Sequence, residues 1–209
     1  METKLKVSEM ESIKSELGFS AMLAMPCESH RGGLALLWKE EDVTIETQTY
    51  SPNHIDVRVH TNDSMWRLTR IYRHPEEERK SETWRLMRHL HARASLPWVC
   101  LGDFNEILSS DEKNGNIRPM GAMMKFQQTL LHCGLVDLGF NGYRFTWRNG
   151  RRGAAFVEER LDKVVATSEW REMFPRTKVR HIPTSYSDHD PILMDMNPPT
   201  QSKKRRHKI

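Results

Sequence analysis

Three short stretches bring together residue types that can move a proton or grip a phosphate: Gly102-Asp103-Phe104-Asn105, Arg160-Leu161-Asp162 and Ser187-Asp188-His189-Asp190. In an extended backbone Asp103 and Asn105 point the same way while Phe104 points opposite, into packing. One face then carries a carboxylate that can orient or deprotonate a water and an amide that can donate to a phosphate oxygen, a pair suited to phosphodiester hydrolysis. The same residues also read as an Asx-turn bonding only local backbone. Asp162 interrupts an apolar run, Leu161 to Val165, where a carboxylate near the core needs a partner: Arg160, Lys163 or a histidine N–H. In the third stretch an imidazole stands between two carboxylates, just before the apolar Ile192-Leu193-Met194. A neighbouring carboxylate holds a histidine in one tautomer and favours its charged form, which suits a phosphate-facing ring, although a polar turn capping a strand has the same composition. His89 and His91 stand two apart on a helix, face different directions and read as surface residues. GxxxxGK[ST], GxSxG and HExxH are all absent, which sets aside P-loop ATPases, elbow-type serine hydrolases and zincins.

The elements that must position these residues follow from periodicity. Gly33 to Trp38 is a compact apolar run, His54 to His60 alternates through Ile55, Val57 and Val59, and Trp66 to Tyr72 repeats the alternation. Together these three read as a meander of antiparallel strands. A helix is expected from Pro75, with Glu76, Glu77 and Glu78 in its first turn and Trp84, Met87, Leu90 and Ala94 as its apolar stripe. Trp98 to Leu101 reads as a buried strand that delivers the Asp103 loop. A second helix is expected over Ala122 to His132, with Phe126, Leu130 and Cys133 on one side and Gly134 as its stop. Strand-like runs follow at Phe145 to Trp147, Leu161 to Ala166, Val179 to Ile182 and Pro191 to Met196. Short strands alternating with helices, without internal repeats, make this a mixed α/β layered domain.

Composition narrows the class. The 209 residues are 37% hydrophobic and 29% charged, with six Trp and seven Phe, enough for one folded core over residues 1–196. No apolar run approaches the roughly 18 residues of a membrane span, and Glu2 and Lys4 directly after Met1 leave no signal-peptide pattern. A nuclear or cytoplasmic protein without membrane contact is expected. Cys27, Cys100 and Cys133 are odd in number and outside any CxxC, so they are expected to be reduced and mostly buried. The net charge of +4 is compatible with nucleic-acid binding, and part of it lies in a basic tail at 197–209, including Lys203, Lys204, Arg205 and Arg206. That tail reads as flexible, as a nuclear-localisation or phosphate-contacting segment, or as a plain solvated end.

Taken in order, Glu2-Thr3-Lys4, Tyr72, Gly102-Asp103-Phe104-Asn105, Arg160-Leu161-Asp162 and Ser187-Asp188-His189 resemble the ordered motifs of the endonuclease/exonuclease/phosphatase superfamily. Gly32 to Trp38, Gly142-Tyr143 leading to Phe145-Thr146-Trp147, Glu159 to Asp162 and Ser187 to Pro191 are similar to the endonuclease domain of plant LINE-type non-LTR retrotransposons. The resemblance implies a four-layered α/β sandwich of the DNase I-like type with its site at one end of the sheets. It implies a DNA-nicking, magnesium-dependent phosphodiesterase, with manganese as a possible substitute ion and no small-molecule cofactor. Residue by residue, it makes Glu2 a metal ligand, with Asp188 helping the metal or the leaving group. Asp103 orients or deprotonates the water, Asn105 holds it or a phosphate oxygen, Asp162 pairs with His189, and His189 and Tyr72 contact the phosphate. In the family a first strand with a site asparagine and a second strand precede the glutamate, so the resemblance implies an N-terminally truncated domain, a fragment or a gene remnant. Two competing readings share these residues: an inactive remnant that binds nucleic acid weakly through Lys and Arg, and a phosphatase of inositol phosphates or sphingolipids. The oligomeric state is not legible.

Overall fold

The computed structural model describes residues 5–28, 31–72, 80–93, 95–115 and 118–199. Its elements run α1 (Val7–Glu16), β1 (Ala21–Glu28), β2 (Arg31–Trp38), β3 (Thr44–Ser51), β4 (His54–His60), β5 (Met65–Tyr72), α2 (Lys80–Arg93), β6 (Trp98–Asp103), β7 (Lys113–Asn114), α3 (Met120–His132) and β8 (Val136–Asp137). They continue as β9 (Trp147–Arg148), β10 (Glu158–Glu159), β11 (Asp162–Ala166), α4 (Ser168–Met173), β12 (Lys178–His181) and β13 (Ile192–Asp195). The central sheet has six strands in the order β3-β4-β5-β6-β11-β8, antiparallel except where β5 lies parallel to β6. The opposing layer consists of two antiparallel ladders, β1-β2 and β12-β13.

Strand alternation separates two cores. Val57 and Val59 on β4, Trp66 and Leu68 on β5, Val99 and Leu101 on β6 and Val164 on β11 face the opposing ladders, where Leu34, Leu36, Val179 and Met194 meet them. On the other face, Ile71, Cys100 and Val165 pack under Trp84, Met87 and Leu90 of α2 and Phe126 and Leu130 of α3. Helix α1 covers the far side of β1 through Met10. The result is four layers: helices, sheet, paired ladders, helix. The polar residues inside the helix-facing layer are paired. Arg67 makes a bidentate contact with Asp56 and donates to the Leu90 carbonyl. At the end of the interlayer core where β5 and β6 begin, α4 inserts Trp170 edge-on to Trp66, 6.0 Å between ring centroids.

The meander differs from the one expected. It is β3-β4-β5, and the Gly33 to Trp38 run belongs to β2, which pairs with β1 in the opposing layer. An apolar run does not say which neighbour it pairs with, and β3, with its polar Thr-Ile-Glu-Thr-Gln-Thr edge, gives little hydrophobic signal. The helix expected from Pro75 is described from Lys80 to Arg93, and Pro75, Glu76 to Glu78 and Ala94 lie outside the described residues. Strand β9 starts only at Trp147. Cys100 and Cys133 are buried free thiols. Among the described residues no helix is long and apolar enough to cross a membrane.

Candidate active site

The interlayer core ends in a row of polar side chains because the same alternation that places Leu68, Leu101 and Val164 inward places Tyr72 inward four residues further on, Asp103 two further on and Asp162 two before. In register, Asp103 lies between Tyr72 on β5 and Asp162 on β11. Close pairing at this point depends on Gly102. Its φ is +136°, and a Cβ there would stand 2.0 Å from the Ile71 carbonyl oxygen. On the helix-facing side Phe104, fully buried, stacks on Phe126 at 5.2 Å, which anchors the loop after β6.

Past Asp103 the backbone leaves the strand. Asn105 has a left-handed φ of +48°, so the extended geometry expected for Asp103 and Asn105 does not hold. Of the two readings, the contacts show the local turn, with the pair bonded to itself. The Asn105 backbone N–H donates to Asp103 Oδ1 at 2.8 Å, closing an Asx-turn, and the Asn105 side-chain amide donates to Asp103 Oδ2 at 3.1 Å. Across the row, His189 Nδ1 lies 2.8 Å from Asp162 Oδ2, and its Nε2 lies 3.9 Å from Asp103 Oδ2. The partner of Asp162 is therefore the imidazole. Arg160 instead pairs with Glu112 and Asp137, and Lys163, fully buried, pairs with Glu112 and donates to the Glu106 carbonyl.

The carboxylates flanking His189 in the sequence are not those that hold its ring, contrary to the reading from sequence adjacency. Asp188 accepts from the Trp147 indole N–H at 3.1 Å, while buried Asp190 pairs with Arg148 and accepts the Thr184 N–H. These contacts fix the loop that carries the histidine. Thr146, given no role by sequence reasoning, ties the parts together. Its hydroxyl accepts the N–H groups of Leu161 and Asp162, and its carbonyl accepts that of Asp190. A buried Thr in an Arg-Phe-Thr-Trp run carries no signal of this from sequence.

The electrostatics separate the two buried acids. Burial, then the charge of Asp162, pushes the Asp103 carboxyl up to about 6. Burial acts the same way on Asp162, but the hydrogen bond and charge of His189 outweigh it and hold that carboxyl below its usual range. Burial disfavours the charged imidazole of His189, yet the hydrogen bond to Asp162 and the charges of both acids raise its affinity for a proton. The two carboxylates thus favour the charged form of the imidazole between them, with Nε2 facing Asp103. An imidazolium and a carboxylate sharing one opening can grip an anionic group and receive a proton from a water.

Beside this row a small sheet, β7-β10-β9, forms the wall of a cavity of about 640 Å³ lined by Lys113, Arg118, Trp147, Arg148, Arg151 and Asp188, among others. Lys113 and Arg118 converge on buried Glu159, leaving Arg151 on the exposed rim. Tyr72 is half-buried at the end of β5. Glu2 lies outside the described residues. Among the described residues no three His, Cys, Asp or Glu side chains converge as a metal cage. Oxygen donors such as Asp188 and Asp103 suit a hard cation that takes its remaining ligands from water and phosphate.

A four-layered α/β sandwich with a central multi-strand sheet and an acid–imidazole–acid row at one end defines a DNase I-like protein. The chain belongs to the Endonuclease/Exonuclease/phosphatase family, whose profile matches residues 15–189. Solved structures of similar fold include the endonuclease domain of TRAS1, a telomere-specific non-LTR retrotransposon, at 16% identity over 85% of this chain and 79% of that one, with a TM-score of 0.63. A functionally unknown conserved protein from Enterococcus faecalis V583 matches at 15% identity over 90% and 80% of the two chains, TM-score 0.62. TDP2 of D. rerio, solved with a single-strand DNA product, matches at 14% identity over 90% and 81%, TM-score 0.56. No protein of curated function matches in sequence.

Proposed function

We propose that this chain is a metal-dependent endonuclease domain of retrotransposon origin, of the plant LINE type, that nicks DNA. The observation that carries the proposal is His189 held on Asp162 at 2.8 Å with Asp103 facing its other nitrogen at 3.9 Å. Likeness to the TRAS1 endonuclease domain and the ordered motifs support the retrotransposon origin. Asp103 takes the proton of the attacking water as its oxygen bonds to phosphorus and the bond to the leaving oxygen breaks. Its raised proton affinity, near 6, makes it a usable base close to neutrality. Asn105 holds that water or a phosphate oxygen. His189, fixed in one orientation by Asp162, donates Nε2–H to the phosphate as negative charge builds. Tyr72, at the same end of the row, offers its hydroxyl to a phosphate oxygen. Asp188, with Glu2 outside the described residues, would hold magnesium or manganese, which when bound would neutralise charge on the phosphate.

Conversion of supercoiled plasmid to open circle tests this reading. Nicking is expected with magnesium and not with EDTA. It is expected to fall on the order of 10²-fold or more in His189→Ala and Asp103→Ala, and to stay unchanged in His89→Ala, an exposed position on α2. Equal activity in all three variants would overturn the site assignment, and EDTA-resistant nicking would overturn the metal.

A further inference from the structure

Tyr186 stands out beside the row. It is 98% exposed, the most exposed large hydrophobic side chain among the described residues. Tyr143, by comparison, is 46% exposed and donates its hydroxyl to Glu158. The exposure of Tyr186 does not come from a frayed segment. Its own N–H donates to Thr184 Oγ1, the Thr184 N–H donates to Asp190, and the His189 N–H donates to Ser187 Oγ. On the far side the Asp188 carbonyl accepts the Arg148 N–H at 3.0 Å. The loop is thus braced internally and tied through Asp188 and Asp190 to the wall that carries Trp147 and Arg148, with Arg151 on the rim of the same cavity.

Position gives the ring a reach. Three residues separate Tyr186 from His189, at most about 11 Å of chain, and bases along a strand are spaced about 3.4 Å apart. With the lengths of the two side chains added, a ring at Tyr186 lies within several base steps of a phosphate at His189. In a paired duplex both faces of each base are covered by its neighbours. Only a base displaced from the stack can offer a face to the ring.

We propose that Tyr186 is a stacking platform for an unpaired base beside the cleaved phosphate, so that the site prefers DNA with a bulged or displaced nucleotide to fully paired DNA. This rests on the DNA-nicking reading. The test uses a fully paired duplex and a set of duplexes carrying an unpaired 2-aminopurine at successive positions within about six base steps of the nick mapped with the unaltered protein. Binding is followed by quenching of 2-aminopurine fluorescence in EDTA, and cleavage with magnesium. The unaltered protein should quench the probe and bind the bulged duplex about tenfold more tightly. Tyr186→Ala should lose the quenching and raise KM for the bulged duplex by a similar factor with little change in its kcat, and Tyr186→Phe should restore both. Quenching and KM in Tyr186→Ala equal to those of the unaltered protein would overturn the platform and leave the nicking reading standing. Loss of nicking with retained, Tyr186-dependent quenching would overturn the nicking reading and leave the platform.

Discussion

Asp103 pays for its position in stability. Its folded-state proton affinity, near 6, lies above the ordinary carboxyl value of 3.8, because burial and the charge of Asp162 both oppose ionisation. The ionised form therefore favours the unfolded chain. The penalty is present above about pH 6 and disappears as pH falls toward the unfolded value. Two pH units would correspond to about 3 kcal/mol, but an amide at this position gives up the second acceptor oxygen that takes the Asn105 side-chain bond, so about 1 kcal/mol is the recoverable scale. Asp103→Asn should then abolish nicking and yet raise the melting temperature at pH 7 by about 2–4 °C, a gain that fades between pH 6 and 4. Scanning calorimetry in EDTA checks it, and a variant that melts below the unaltered protein at pH 7 would show that the His189 charge outweighs burial. The types of residue at this site were legible in the sequence, and the resemblance gave the Asp162–His189 pair, but spacing alone did not. Adjacency suggested Asp188 and Asp190 as the acids beside His189, whereas register across β6 and β11 supplies Asp103 and Asp162. Thr146 was invisible because its role lies in backbone contacts that only the folded chain creates.

At the scale of elements, the site depends on how closely β5 and β6 approach at their ends. A Cβ at residue 102 would overlap the Ile71 carbonyl oxygen at 2.0 Å, and the φ of +136° is strained for any side chain. Gly102→Ala is expected to cost about 3 kcal/mol or more, roughly 10 °C in melting temperature, and to move Tyr72 relative to Asp103. Circular dichroism melts beside plasmid nicking would read both effects, and a melting temperature within about 2 °C of the unaltered protein would sink the argument. Elements that bury a regular face could be read directly: β4 through Ile55, Val57 and Val59, α2 through Trp84, Met87 and Leu90, and α3 through Phe126 and Leu130. Those that bury little could not. Helix α1 inserts only Met10, α4 is six residues long, β1 is rich in Met and Ala with Pro26 inside it, and β3 is a polar edge. Sheet membership of β2 was equally hidden, since pairing with β1 or β4 leaves the same apolar pattern.

Across the whole molecule, two buried histidines outside the catalytic row contribute to its response to acid. His54 is clamped between the hydroxyls of Ser51 and Thr49 at the β3-β4 turn. His181 on β12 stacks on Phe140 at 4.4 Å and bonds the Tyr143 carbonyl through Nδ1, while its buried Nε2 has no hydrogen-bond partner among the described residues. A proton on that nitrogen would bury an unsatisfied donor. Burial lowers the proton affinity of both rings; neighbouring Asp56 at His54 and the Tyr143 bond at His181 only partly oppose it. Between the folded values and the unfolded value of about 6.5, the unfolded chain binds more protons, so both rings remove stability as pH falls below about 6.5. His189 acts in the opposite sense. Its folded value is raised, so its contribution is full below about 6.5 and is lost as pH rises through the folded value. The expected result is a melting temperature that falls from pH 7 to 5.5 less steeply in His181→Gln, whose amide can still donate to Tyr143. Ring resonances of His54 and His181 should titrate below 6.5 and that of His189 above it. An unchanged slope in His181→Gln, together with His181 titrating at or above 6.5, would place the acid sensitivity elsewhere in the fold.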